Sequence, residues 1–321
     1  MAKRLWEASE ELKQNANMTA FMQQVRERYG VQIRTYADLH RWSVEHIPEF
    51  WGLVWEHAGI IASRPYDTIV DDPIRMPGAT WFEGARLNFA ENLLRHRDER
   101  TALVFRSENG SRRQMSYGEL FSAVERCAAG MRAMGIRSGD RVAGFMPNMP
   151  ETAVAMLAAA SIGALWSSCS PDFGIKGVLD RFGQIMPRLI FTTDGYFYNG
   201  KTVDSLDRMR HILESLPSIE KVVVVPYVTD EPDVGRVPNG VNYRDFKASE
   251  THLDIQFEQL PFDHPLYVMY TSGTTGLPKC MVQSAGGILI NQLKELILHT
   301  DLRRSDTIFY FTTCGWMMWN W

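Results

Sequence analysis

Arg141-Val142-Ala143-Gly144-Phe145-Met146 opens the stretch that decides the fold. After Arg141 it is an unbroken apolar run, closed by Pro147 and Asn148. Such a run between turn residues reads as a strand buried on both faces. Pro150 then starts a helical pattern over 150–162, at the one helical position where a missing amide costs nothing. Leu165-Trp166-Ser167-Ser168 is the next strand. The alternation continues outward with a helix over 175–186, a strand over 189–193 and a helix over 203–216. Val222-Val223-Val224-Val225 is one more continuous strand. Upstream, 101–105 reads as a strand. Ser116-Tyr117-Gly118-Glu119 is a capping box, with the Ser oxygen on a free amide and the Glu reaching back; it opens a helix to about 134. Repeated strand–helix units predict an α/β fold built on a doubly wound, mostly parallel sheet.

The flanks read differently. Residues 1–97 are mainly helical and rich in Trp and Phe, with apolar residues at helical spacing over 36–46 and 50–58 and a short amphipathic helix over 87–94. Residues 226–265 hold five prolines and little periodicity, so a surface excursion is expected. Residues 266–270 form a buried strand, followed by a glycine turn and a long helix from about Ile288. The division expected is a helical segment over 1–97 and an α/β domain over 98–321.

Composition excludes several classes. At roughly 150 residues per domain, 321 residues suggest two domains. Hydrophobic residues at 45% and charged residues at 22% are ordinary globular usage. A net charge of -4 argues against a nucleic-acid-binding basic domain. The four cysteines contain no C-x-x-C pair, which excludes a cysteine zinc site and a disulfide scaffold and fits a reducing compartment. The N-terminus lacks the apolar core of a secretory signal. The most apolar stretch, 153–166, is too short to span a bilayer. A soluble cytoplasmic protein with no membrane span and no nucleic-acid partner is expected. Three of the nine tryptophans fall in the last six residues, where polar residues are the norm, so the sequence reads as a chain cut in mid-domain.

Two segments compete as phosphate loops. The first is Tyr270-Thr271-Ser272-Gly273-Thr274-Thr275-Gly276-Leu277-Pro278-Lys279, which leaves a buried strand. Its glycines let backbone amides turn toward an anion. Thr271, Ser272, Thr274 and Thr275 add hydroxyl donors, and Lys279 a mobile point charge. A plain polar turn would use the same residue types, but rarely so many in nine positions. The second is a literal G-x-x-x-x-G-K-[ST] match, Gly195-Tyr196-Phe197-Tyr198-Asn199-Gly200-Lys201-Thr202, with a strand expected before it and a helix after it. Aromatic residues crowd its middle, and the next apolar strand carries no acidic magnesium partner. It remains the basis of an alternative, a P-loop kinase. G-x-G-x-x-G and G-x-S-x-G are absent, as is any His pair with metal spacing.

At Tyr270 to Lys279 the sequence resembles the adenylate-forming acyl-CoA synthetases. Met115-Ser116-Tyr117-Gly118-Glu119-Leu120 is similar to an early motif of that superfamily. The stretch 79–94 resembles the N-terminal segment shared by the acetyl-CoA and acetoacetyl-CoA synthetase families. Residues 168–174 and 315–321 resemble the acetoacetyl-CoA synthetase family. The resemblance implies the large N-terminal domain of adenylate-forming enzymes, preceded by an acetyl-CoA-synthetase-type segment. It implies an acid–thiol ligase in which acetoacetate attacks Mg2+-bound ATP to give acetoacetyl-AMP and pyrophosphate, and coenzyme A then displaces AMP. A synthetase for another short acid is the alternative within the class.

The resemblance also assigns residues. Thr271, Ser272, Gly273, Thr274, Thr275, Gly276 and Lys279 would hold the ATP phosphates, with Lys279 acting in catalysis. Gly200 and Lys201 fall where related enzymes bind coenzyme A through arginines. Trp316, Met317 and Met318 match the acyl pocket. Two departures stand out. Gln283 replaces the histidine usual after the loop. The sequence stops before the family's Y-G-x-T-E segment, T-G-D aspartate, hinge and C-terminal domain with its adenylation lysine. The 321 residues alone are therefore expected to be inactive.

Overall fold

The computed structural model describes residues 5–248, 254–271 and 276–320. Seven strands form its main sheet: β1 (Arg141–Phe145), β2 (Leu165–Cys169), β3 (Leu189–Thr193), β4 (Lys221–Val225), β5 (Gly240–Asn242), β6 (Pro265–Thr271) and β7 (Lys279–Ser284). Their order is β5-β4-β3-β1-β2-β6-β7. Every neighbouring pair is parallel except β6 and β7. The chain moves from β1 to β2, then back past β1 to β3. Such a reversal leaves a crevice at the carboxyl ends of the strands, where ligands of doubly wound sheets bind.

The chain divides into two compact units. The first comprises Met1–Arg86 and Gly286–Tyr310, the second Leu87–Ala285 and Phe311–Trp321. In the second unit the alternation of the strands gives the sheet two apolar faces. On one, Ala143, Phe145, Cys169, Ile190, Val222 and Val224 pack against Val178 and Phe182 of helix Ile175–Ile185 and Met209 and Ile212 of helix Leu206–Glu214. Phe182 is fully buried, and removing such a ring costs about 3–5 kcal/mol. On the other face, helices Tyr117–Ala133 and Pro150–Ile162 pack together, and Met156 meets the Tyr267 hydroxyl of β6. The Ser116–Glu119 capping box is formed at both ends, and Pro150 sits in the first turn of its helix.

In the first unit, helices Asn17–Tyr29, Tyr36–Glu45 and Ile47–His57 carry the expected aromatic packing. Gly30 ends the first in the left-handed region, and Thr35 with Asp38 caps the second. Trp55 stacks on Phe82 at 4.9 Å, and the Lys294 ammonium lies 5.6 Å from the Trp51 ring centre. Asn17 donates its side-chain amide to the carbonyls of Ile297 and Leu302.

Three expectations change. The stretch 226–265 is not only an excursion: Gly240–Asn242 adds a parallel edge strand, and helix Tyr243–Phe246 puts Phe246 edge-on to Phe191. Lys279–Ser284 pairs with β6 as an antiparallel strand, so the helix downstream starts at Ala285. Residues 203–205 lie outside the helix that begins at Leu206, because Lys201–Asp204 pairs with Gly195–Tyr198. These edge and hairpin strands are polar or short, so they lack the apolar runs that marked the central ones.

Candidate functional site

Three chain segments converge on the carboxyl edge of the main sheet. β6 ends at Thr271, β3 leads through Asp194 into the hairpin 195–204, and residues 312–320 return across β1, β2 and β6. The first holds the main phosphate-loop candidate. Thr271 is half-buried and pairs directly with Lys279 across the antiparallel ladder, and Lys279 is exposed. Ser272, Gly273, Thr274 and Thr275 lie outside the described residues. Gly276 has φ +106°, a conformation L side chains rarely adopt, with nothing within 4 Å of where a Cβ would stand. The sheet thus fixes both ends of a seven-residue connection and brings Thr271 beside Lys279.

Helix Ile175–Ile185 holds both flanks of this connection. The Arg181 guanidinium lies 5.6 Å from the ring centre of Tyr270 and 4.5 Å from that of Phe173. Tyr270 is also held by Ser167, whose hydroxyl lies 3.2 Å from the phenol oxygen, and burial raises its pKa above the usual tyrosine value. The Gln184 side-chain amide donates to the Pro278 carbonyl at 2.9 Å. Motif reading found neither Arg181 nor Gln184, because neither falls in a recognisable pattern; only the packing of the helix beside β6 and β7 reveals them.

The second candidate is a hairpin. Gly195–Tyr198 and Lys201–Asp204 pair antiparallel, with Tyr198 opposite Lys201. Asn199 at φ +51° and Gly200 at φ +71° form the two-residue link, the Asn-Gly pattern that suits a twisted hairpin. A helix does not follow the Gly-Lys pair, as an NTPase loop requires. The P-loop kinase alternative on Gly195 to Thr202 is therefore wrong: the backbone that would have to curl around a phosphate is extended in a two-stranded ladder. Gly200 and Lys201 are exposed at the hairpin tip. Its base is rigid. Asp194 is buried and accepts from the backbone amides of Tyr227, Val228 and Thr229 and from the Thr229 hydroxyl.

The third segment is locked from below. The Ser168 hydroxyl donates to the Cys314 carbonyl at 2.5 Å, and the Cys314 thiol to the Met146 carbonyl at 2.6 Å. Trp319 donates its indole N–H to the Asn148 side-chain carbonyl at 2.9 Å. Trp316 and Met318 are exposed, and Met317 is half-buried. Burial pushes the Cys169 thiol up to about 12, and Cys314 well above its usual range, so neither is a nucleophile at neutral pH. Cys314 and Cys169 are far apart in sequence and meet only through the fold.

Among the described residues, no group of three or more His, Cys, Asp or Glu could hold a metal ion. No helix among them is long and apolar enough to cross a membrane. The glycine–hydroxyl–lysine connection leaves the carboxyl edge of a doubly wound sheet, the edge at which such sheets bind ligands.

Comparisons with known proteins give the family. The chain belongs to the AMP-binding enzyme family, whose model matches residues 89–320. The acetyl-coenzyme A synthetase N-terminus model matches residues 36–93. Acetoacetyl-CoA synthetase of Danio rerio is 48% identical over 318 residues, covering 96% of this chain and 47% of the relative. Acetoacetyl-coenzyme A synthetase of Rhizobium meliloti (strain 1021) is 48% identical, covering 99% of this chain and 48% of its own length. The solved acetoacetyl-CoA synthetase from Streptomyces lividans superposes with a TM-score of 0.93 at 42% identity, covering 99% of this chain and 49% of that one. The chain thus spans about half the length of the curated relatives it matches.

Proposed function

We propose that the protein is an AMP-forming acid–thiol ligase that activates acetoacetate. The observation that carries this reading is the pairing of Thr271 with Lys279 at the carboxyl end of β6, where the glycine–hydroxyl connection begins and ends. The likeness to acetoacetyl-CoA synthetases over nearly the whole chain supports the choice of acid.

In the first half-reaction a carboxylate oxygen of acetoacetate attacks the α-phosphorus of Mg2+·ATP. The bond to the bridging oxygen breaks, and pyrophosphate leaves with the electron pair. The carboxylate is already ionised and needs no general base, so the protein's task is alignment and charge neutralisation. Thr271, Ser272, Gly273, Thr274, Thr275 and Gly276 grip the β- and γ-phosphates. Lys279 binds the same phosphates and neutralises the charge that grows on the leaving pyrophosphate. In the second half-reaction the coenzyme A thiol, deprotonated, attacks the acyl carbon, and AMP leaves.

Gly200 and Lys201 meet coenzyme A phosphates at the hairpin tip. Trp316, Met317 and Met318 wall the acyl group, where an apolar surface suits a short chain. The helical segment 1–97 and the AMP-binding domain 98–321 divide the work, and the protein acts on small molecules in the cytoplasm.

The test is acetoacetate-dependent ATP–pyrophosphate exchange in the protein as its gene encodes it. Exchange with acetoacetate that coenzyme A does not require is the expected result. Exchange driven equally by other short acids would move the assignment to another synthetase. No acid-dependent exchange would sink it.

A further inference from the structure

The Gln184 side chain bridges a rigid helix to the residues on both sides of Lys279. Its amide nitrogen donates to the Pro278 carbonyl at 2.9 Å and to the Asp180 carbonyl, one turn back in its own helix, at 2.6 Å. Its amide oxygen stands 3.5 Å from the Cys280 sulfur and accepts from that thiol. One planar group thus holds the residue before Lys279 and the residue after it. Within the helix, Phe182 is fully buried in the core, so the platform does not drift. The same helix holds the incoming flank, where Arg181 stacks over Tyr270.

β7 needs this support. It lies at the edge of the sheet, pairs on one side only, and exposes Lys279 and Cys280. Edge strands at the end of a ladder fray first. A lysine that must meet phosphate oxygens in one place gains most when its backbone is fixed beforehand, because misplacement of about 1 Å can cost a hundredfold in rate.

We infer that Gln184 is a positioning residue for Lys279: it anchors the start of β7 so that the ammonium is presented to the nucleotide phosphates. The inference rests on the ligase reading above. Gln184 touches no reacting atom, and its contribution falls on nucleotide binding and not on the acid.

The experiment uses the protein as encoded by its gene, with Gln184→Met, which keeps length and removes both polar ends, and Gln184→Glu, which keeps the acceptor and removes the donor. Four quantities are read: the KM for Mg2+·ATP and the maximal rate in acetoacetate-dependent pyrophosphate exchange, the KM for acetoacetate, and the rate at which a small maleimide labels Cys280. Of the four cysteines, Cys280 is the exposed one. Both variants should raise the KM for ATP about three- to tenfold, as expected for one net hydrogen bond lost. The acetoacetate KM and the melting temperature should stay the same. Labelling of Cys280 should accelerate in Gln184→Met, where its acceptor is gone. An unchanged KM for ATP together with an unchanged maximal rate in both variants overturns the inference even if labelling accelerates, because Gln184 then only packs the strand. Equal rises in both KM values also overturn it. If the unsubstituted protein shows no exchange, the ligase reading falls and takes this inference with it; normal exchange in the parent with insensitive variants defeats the inference alone.

Discussion

Two segments of this chain carry glycine and lysine just beyond the carboxyl end of a strand, and they do opposite things with their backbone. In 195–202 the spelling matches an NTPase loop, but four residues on each side pair as a hairpin and leave only Asn199 and Gly200 between them. The link is only two residues long, and its Asn199 amide already donates to the Glu108 carboxylate at 3.0 Å, so it offers no nest for a phosphate. In 270–279 the spelling matches no such pattern, yet seven residues separate the paired Thr271 and Lys279. That is enough backbone for a phosphate nest. What distinguishes the two is where the strand ladder stops, and letter order alone does not give that.

The comparison can be broken in four ways, from the largest expected effect down. Asp194→Ala removes the carboxylate that caps the base of the hairpin and leaves three backbone amides without acceptors. Hydrogen bonds to a charged group are worth ~1.5–3 kcal/mol each, so stability in a urea titration should fall by about 3 kcal/mol or more. Exchange per folded molecule should persist; a variant as stable as the parent would show that the hairpin base is not anchored there.

Lys279→Ala acts on the other segment. It should slow acetoacetate-dependent pyrophosphate exchange roughly ten- to a hundredfold, the equivalent of ~1.5–3 kcal/mol of charge-assisted contact. Its melting temperature should barely move, since Lys279 is exposed. Undiminished exchange would remove this connection from the site.

Gly200→Ala tests the turn. The φ of +71° admits glycine and strains alanine, although nothing stands within 4 Å of the added carbon. A loss of about 1 kcal/mol is expected in thermal unfolding. A gain in stability would mean that the link is not held in that conformation.

Lys201→Ala should have the smallest effect. An exposed lysine contributes at most about 1 kcal/mol to a contact with an anion, so the KM for coenzyme A should rise about two- to fivefold. The exchange half-reaction, which needs no coenzyme A, should be unaffected. Lost ATP affinity with normal coenzyme A dependence would reverse the roles given to the two segments.

Much of the fold was legible because its central strands are buried on both faces. Arg141–Phe145, Leu189–Thr193 and Lys221–Val225 are apolar runs closed by turn residues, and burial on two sides requires that pattern. The helix starts were legible because capping is local: Ser116 with Glu119, and Pro150, act within a single turn. The edges were not. Lys279–Ser284 has one exposed side, so its composition is mixed. Gly240–Asn242 is three residues long and gains its place only by lying beside the buried Val222 to Val224.

The candidate site divides along the same line. The sequence by itself determined the hydroxyls, glycines and lysine of 270–279, because that chemistry is carried by residues adjacent in the chain. It also determined the strand that delivers them. The hairpin at Gly195 to Thr202 had a local signal in Asn199-Gly200, whereas only the tertiary structure decided that Cys314 reaches the Met146 carbonyl and that Gln184 stands beside Lys279. Each of these depends on a contact between residues far apart in the chain, 168 positions in the first case and 94 in the second. Local patterning constrains a backbone for about one turn or one strand. Beyond that range, the pairing of strands and the packing of helices on the sheet choose the neighbours.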